Sequence, residues 1–486
     1  MNRARWVGPT RLVVTGLAAA GLVTAAALSP ATELAGSQAQ PARATTLEPV
    51  ATASLSCPGP ELSGIKGVED IDVPAAVAAA TAPQSVLGSS VRTKGKGQVS
   101  IRSGKVAGST ATTRGVTTST DSRSSSSSDI VATGALAPGL AATQEWSVNR
   151  DEINGLATVS CAGPGSDLWL LAGAGAPGRQ ERVVLTNPGA NEVTVDMQVL
   201  GRKGIVPSPT GSTVVPARGR VALLVDAISG AEESPALHVR ANGGTVRAVM
   251  SDIWLDGSVP VGAETTVPTA APATTQVIPT YVSGTTGALR VAVPGNQQAV
   301  VSAQLLGRDG ATPLPGGVIR VPARSSGDLP VKGVAPGWYS VRVSADVPIV
   351  ASMFSAWRLG SNPGDFTWSP STEATTTGLL GAAFPENDDA VRTLSVSSVG
   401  SSSKVSVTWR DGGKWNTRTV DLAQDASSTL SLGQASAVWV RRASGAGEIR
   451  AGVGTMGGNT AARLVSVTPL VESAVTSQVS SAHPVS

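Results

Sequence analysis

From residue 55 onward, apolar and polar positions alternate with a period of two over much of the chain. Val193, Val195, Met197 and Val199 fall on one side of a strand, with Thr194, Asp196 and Gln198 on the other. Val405, Val407 and Trp409 alternate in the same way with Ser406 and Thr408. The turn signals Asn187-Pro188-Gly189, Asn242-Gly243-Gly244 and Asp411-Gly412-Gly413 interrupt these runs at the short intervals that hairpins require. The pattern predicts half-buried strands, roughly six or seven in each unit of about 100 residues. The fold class it points to is all-β, with tandem immunoglobulin-like β-sandwich modules.

The strands belong to an internal repeat. Residues 193–202 (VTVDMQVLGR) correspond to 299–308 (AVVSAQLLGR), an offset of 106, and Val215-Pro216-Ala217-Arg218 recurs at that offset as Val321-Pro322-Ala323-Arg324. A third unit is fainter: Trp409-Arg410-Asp411-Gly412 echoes Gly307-Arg308-Asp309-Gly310. The equal spacing of Met250, Met353 and Met456 sets it 103 residues on. These matches place β-sandwich repeats at 166–262, 275–362 and 375–470. Residues 55–165 form a divergent first module outside the register, carrying a Ser-rich insert, 117–128, expected as an exposed loop. Residues 29–54, rich in Ala, Thr, Pro and Ser, read as a flexible tether, and 471–486 as a disordered tail.

Composition agrees with this picture. Gly 55 and Pro 32 suit strands joined by many turns. The amino terminus adds a destination: Arg3, Arg5 and Arg11 flank an apolar run from Leu12 to Leu28. Residues 1–28 are thus expected to be a signal peptide or signal anchor, with the remainder extracytoplasmic, either secreted or held to the plasma membrane by that one helix. The only cysteines, Cys57 and Cys161, sit in matching contexts, Ser56-Cys57-Pro58-Gly59-Pro60 and Ser160-Cys161-Ala162-Gly163-Pro164. Neither has a CxxC partner or an adjacent His or Lys to activate it. A structural disulfide is the reading, against a reactive thiol. With 37 basic and 34 acidic residues the net charge is +3, and no basic stripe is interleaved with aromatics, so nucleic acid is not an expected partner.

Catalytic sets are sparse. Of two histidines, His238 lies in an alternating strand and His483 near the end, so a Ser-His-Asp triad would depend on His238, and no Gly-x-Ser-x-Gly elbow accompanies it. No standard zinc set exists; Glu386-Asn387-Asp388-Asp389 is an acidic turn without EF-hand spacing. Asp252 with Asp256, and Asp365 with Glu386, are nominal carboxylate pairs for glycoside hydrolysis. Gly173-Ala174-Gly175 lacks the Lys-Ser/Thr and helix of a phosphate loop. Trp254 and Trp357, four residues after Met250 and Met353, fit packing positions. Trp409, Trp415 and Trp439 are less regular and are the candidate ligand surface.

The Cys57-Pro58-Gly59-Pro60 start, the segment 160–169 (SCAGPGSDLW) and Leu185-Thr186-Asn187-Pro188-Gly189 together resemble an uncharacterised family of secreted or membrane-anchored proteins of high-GC Gram-positive bacteria, a domain of unknown function. The resemblance implies an actinobacterial cell-envelope setting and a β-rich ectodomain, and supplies no catalytic residue. The functional expectation is a non-catalytic envelope protein, without cofactor or metal, whose modules contact an envelope protein or wall polysaccharide. An accessory subunit of a wall-glycan enzyme, and then a glycan hydrolase, are the alternatives.

Overall fold

The computed structural model describes residues 46–62, 73–89, 91, 95–104, 106–122, 126–207, 211–459 and 462–479 of the 486-residue chain. The export segment at 1–28 lies outside them, as do 29–45 of the expected tether and 480–486 of the expected tail. Among the described residues no helix is long and apolar enough to cross a membrane. Thr46–Pro49 and Thr476–Val479 form a two-stranded sheet of their own.

Residues 49–476 build four sandwiches of two antiparallel sheets each, all with one strand order. In the second module one sheet runs Asp167–Leu171, Ala236–Asn242, Val193–Gly201, and the other Arg220–Leu224, Arg179–Thr186, Arg247–Asp256, Val259–Thr266. The fourth module repeats this with Leu379–Ala383, Ala437–Gly445, Ser403–Asp411, and Ala426–Gly433, Val391–Val399, Glu448–Gly458, Arg463–Pro469. In the third, the 20-residue strand Trp338–Trp357 passes from one layer into the other and joins both into a seven-stranded sheet.

The first module, expected to diverge, has the same order: Thr52–Cys57, Ser128–Gly134, Gly97–Ser103, Val106–Ala111 in one layer and Thr118–Ser122, Ala75–Thr81, Leu140–Asn149, Asn154–Ser160 in the other. Several expectations are corrected here. Residues 52–54 are strand rather than tether, because Ala53, Leu55 and Cys57 alternate onto the core. The Ser-rich insert is not one exposed loop: Thr118–Ser122 pairs with Ala75–Thr81, and Ser122 and Ser128 are buried. In the expected tail, Val471–Glu472 pairs with Leu379–Ala383. Val259–Thr266 and Asp365–Pro370 run past the expected boundaries at 262 and 362.

Cys57 and Cys161 are disulfide-bonded and fully buried, joining the first strand of the first module to the residue after its last. The backbones of Ser56 and Ala162 bridge the same point in both directions, at 3.0 and 3.3 Å. A buried disulfide fits an oxidising, extracytoplasmic compartment.

The repeated Val-Pro-Ala-Arg is a turn that needs a left-handed residue. Arg218 and Arg324 have φ of 51° and 52°, and each donates its N–H to a glycine carbonyl of a facing turn, Gly189 and Gly295, at 3.0 Å. Asp425, φ 53°, is the fourth-module counterpart. The methionine spacing does not carry through. Met250 and Met353 are core residues flanked by Ala248 and Ala351; the matching fourth-module pair is Ala451 and Val453, an offset of 100 from the third module. Met456 lies three residues beyond and is only half-buried.

The four modules close into a ring. Each contributes the edge strand of one sheet, Asn154–Ser160, Val259–Thr266, Asp365–Pro370 and Arg463–Pro469, to a common axis, where each packs on the next and the fourth on the first. Gly155 and Gly262 permit the close approach: a Cβ would come within 2.6 Å of the Ala263 carbonyl oxygen at one and of the Phe366 ring at the other. An edge strand leaves alternate N–H groups unpaired, and here they meet side chains across the axis. The Asp365 carboxylate accepts N–H groups from Leu156, Ala263, Phe366 and Val465, one from each module, at 2.8–3.3 Å. Thr158 N–H donates to Ser466 Oγ, Ser160 N–H to Thr468 Oγ1 and Val467 N–H to Thr367 Oγ1, at 2.9–3.1 Å.

Candidate functional site

The seam where the ring closes, between the fourth module and the first, gathers the acidic turn Glu386–Asp389 and two of the candidate tryptophans, Trp415 and Trp439. Pro385 follows the strand Leu379–Ala383, and the chain turns through Glu386–Asp389 before Val391–Val399. Asn387 holds this turn, its Oδ1 accepting the Asp389 N–H at 3.2 Å, while its Nδ2 donates to Glu145 Oε1 at 2.8 Å. Arg392, fully buried, donates to both Glu145 oxygens at 3.1 and 2.9 Å, and Thr158 Oγ1 donates to Oε2 at 2.9 Å. The Arg392 guanidinium also lies 4.6 Å from the Phe384 ring centre. The pair is enclosed and bonded through Arg392 Nη2, while Arg392 Nε is buried without a hydrogen-bond partner among the described residues; such a pair specifies how two modules dock more than it adds stability.

Beside this pair a cleft of about 530 Å³ is lined by Asp121, Ser122, Glu145, Trp146, Glu386 and Asn387. Trp146 Nε1 and Ser122 Oγ, both buried, have no hydrogen-bond partner among the described residues. The lining carboxylates Asp121 and Glu386 have no hydrogen-bond or ion-pair partner among the described residues, while Glu145 is occupied by its partners. Among the described residues no cluster of His, Cys, Asp and Glu has the makings of a metal site.

The tryptophans expected at a ligand surface largely seal the seam instead. Trp439 is fully buried and donates Nε1 to the Gly139 carbonyl of the first module at 3.3 Å. Trp415, 38% exposed, tilts against Trp439 with ring centres 5.9 Å apart and rests on Gly115. Trp409 packs half-buried on the fourth-module core. Trp254 and Trp357 are packing residues, as their repetition suggested, on clusters that span the second and third modules and the third and fourth.

The carboxylate pairs do not assemble. Asp252 is buried and held by Arg179, Nε to Oδ1 at 2.8 Å and Nη2 to Oδ2 at 2.5 Å, and by Trp368 Nε1 at 2.9 Å, whereas Asp256 is exposed and paired with Arg358 at 2.7 Å. Asp365 is enclosed at the axis, and Glu386 lines a cleft that Asp365 does not reach. His238 stacks on Trp169, ring centres 4.1 Å apart, with Nε2 2.9 Å from Asp167; burial lowers its pKa. Gly173-Ala174-Gly175 is structural: Ala174 N–H binds Glu181 at 2.7 Å, and the Gly173 carbonyl accepts from Arg290 at 2.6 Å.

Sequence reasoning passed over the buried ionisable groups of the seams. Between the second and third modules, Arg179 is enclosed by Trp254, Phe354, Phe366 and Trp368, all within 5.2–6.0 Å of its guanidinium carbon. Arg290 lies 4.7 Å from Trp368 and binds Asp328 along with the carbonyls of Ala172, Gly173 and Pro235. Burial and the neighbouring Asp252 charge push the Glu181 pKa up to about 8, against the pull of Arg179 and the Ala174 N–H. At the axis, burial drives Glu264 and Asp365 well above the usual carboxylate range. The hydroxyls of Thr367 and Ser466 oppose this at Glu264, and the four N–H donors oppose it at Asp365. The available signal was a charged residue on the outward face of an apolar strand, as at Glu181, Asp252 and Arg290; alternation alone reads that face as solvent.

Comparison with known proteins places this geometry in a family. The profile described as a family of unknown function, DUF5719, matches residues 116–433. No curated protein matches the chain. Among solved structures, a mutant major pilin from Streptococcus pyogenes aligns over 63% of this chain and 98% of its own at 8% identity, with a TM-score of 0.12. Agreement that loose bears on neither fold nor function.

Proposed function

The chain belongs to the DUF5719 family, a family of unknown function, and on that premise we propose that it is a non-catalytic, exported protein of the actinobacterial cell envelope, a rigid ring of β-sandwiches that binds another envelope protein or a wall glycan. The observation that carries the reading is where its buried ionisable side chains go. Asp365, Glu264, Asp252, Glu145, Arg179, Arg290 and Arg392 are all engaged in joining modules or strands. A catalytic carboxylate needs access to substrate, and the polar side chains of this chain that are most enclosed serve docking instead. The disulfide supports the compartment. Rigid seams framing open clefts suit recognition by shape and polar contact.

Crosslinking from intact cells that carry the exported chain, followed by identification of the captured species, tests this. An envelope protein or wall polymer is the expected capture. Glycan hydrolysis by the purified chain that is lost in Glu386→Gln would replace the binding reading with a hydrolytic one.

A further inference from the structure

A second cleft, of about 630 Å³, opens at the seam between the third and fourth modules, and its chemistry differs from the first. Trp338 supplies its aromatic wall, whereas Tyr339, the next residue of the strand Trp338–Trp357, turns to the opposite face and packs on the third-module core. Trp338 is held against Gly454, where a Cβ would come within 1.8 Å of its ring, and packs with Val282, Val465 and Val467. Tyr339 is fixed by donating its hydroxyl to the Ala335 carbonyl at 3.1 Å. Arg308, in the hairpin tip Gly307–Gly310, and Arg418, on the strand Lys414–Leu422, line the same cleft from the two modules. Both are exposed, and neither has an ion-pair or hydrogen-bond partner among the described residues. The other charges nearby are paired: Asp421 with Lys404 at 3.1 Å, Arg342 with Asp425 at 2.6 Å. Asp309 lines the adjoining groove rather than this cleft. Thr419, Ser428 and Thr429 supply hydroxyls.

Unpaired guanidiniums bind planar anions through two N–H donors each, and aromatic faces take the apolar C–H face of a sugar ring. A cleft of this size accommodates a ligand of two or three rings. We propose that it binds an acidic saccharide, with a sugar ring against Trp338 and its anionic group held by Arg308 and Arg418. This rests on the envelope reading and names the ligand class for it.

The test is titration of the full exported chain, followed by tryptophan emission and calorimetry, with tetragalacturonate, neutral cellotetraose and glucose 1-phosphate. Saturable binding of tetragalacturonate, weakened roughly tenfold or more in Arg308→Ala/Arg418→Ala at unchanged Tm, supports the proposal with a carboxylate as the anion. The same result with glucose 1-phosphate supports it with a phosphate. Binding of neither anionic probe, equal binding of cellotetraose, or undiminished binding by the double variant overturns it. Because both arginines are exposed, that variant is expected to fold. If it is still captured with envelope material while the wild type binds no acidic sugar, the cleft inference fails and the envelope reading stands. Loss of capture by the wild type itself removes the reading.

Discussion

Asp365 receives one backbone N–H from each of the four modules, with Ala263 and Phe366 on Oδ1 and Leu156 and Val465 on Oδ2. Removing it orphans buried donors at about 1–3 kcal/mol each. Asp365→Ala is therefore expected to cost about 4 kcal/mol or more, read as a lower urea midpoint; a midpoint within error of wild type would refute the axial role. Asp365→Asn keeps one acceptor but turns an amide toward two N–H groups, so it too should destabilise. Glu181 makes a pH prediction. Its folded pKa, about 8, lies above the ordinary carboxyl value, so the folded state holds a proton that the unfolded state has released. That contribution is complete below about pH 4.5 and is lost as pH rises toward 8. Glu264 and Asp365 act in the same direction. Glu181→Gln cannot ionise, and its Tm is expected to fall less between pH 5 and pH 8.5 than that of the wild type. Parallel curves would count against this assignment.

At the scale of elements, four edge strands meet without forming a sheet. Their N–H groups end on hydroxyls and a carboxylate from neighbouring modules, which blocks the edge-to-edge pairing that exposed strands invite. Thr367 links two of them, accepting Val467 N–H at 3.1 Å and donating to Glu264 Oε2 at 2.7 Å. Thr367→Val preserves shape and removes both bonds; a loss of about 1–3 kcal/mol in denaturant unfolding is expected. The sequence of these strands, for example Leu464-Val465-Ser466-Val467-Thr468, reads correctly as strand. Its Ser and Thr positions look solvent-facing, yet Ser466 is fully buried and Thr468 nearly so. Small hydroxyl residues are the residues that can sit on an outward face and still be enclosed, since each fills the bond a neighbour's backbone lacks.

For the whole molecule, ring closure makes the modules interdependent. Independent sandwiches on a string would melt separately, whereas here every module shares the axis and two seams. Calorimetry is expected to show one cooperative transition for residues 49–476, and resolved transitions assignable to single modules would contradict the closed ring. Truncation before the fourth module should leave the axial strands of the other three uncovered and yield aggregated chain.

Read by itself, the sequence determined what local pattern can encode: strands rather than helices, modules of about 100 residues, the recurrence of Val-Pro-Ala-Arg ending at Arg218 and Arg324, and the pairing of Cys57 with Cys161. Alternation reports which side chains face a module's own core, and repetition reports that the core is built again. Neither reports what covers the other face. Only the tertiary structure decided that Trp439 and Arg392 are enclosed, that the first module is a fourth copy, and that Asp365 is an axis rather than half of a catalytic pair. Those outcomes depend on contacts between residues more than 200 positions apart, such as Glu145 with Arg392 and Leu156 with Asp365. Such contacts exist once the chain has closed, and leave no periodic trace in the order of its residues.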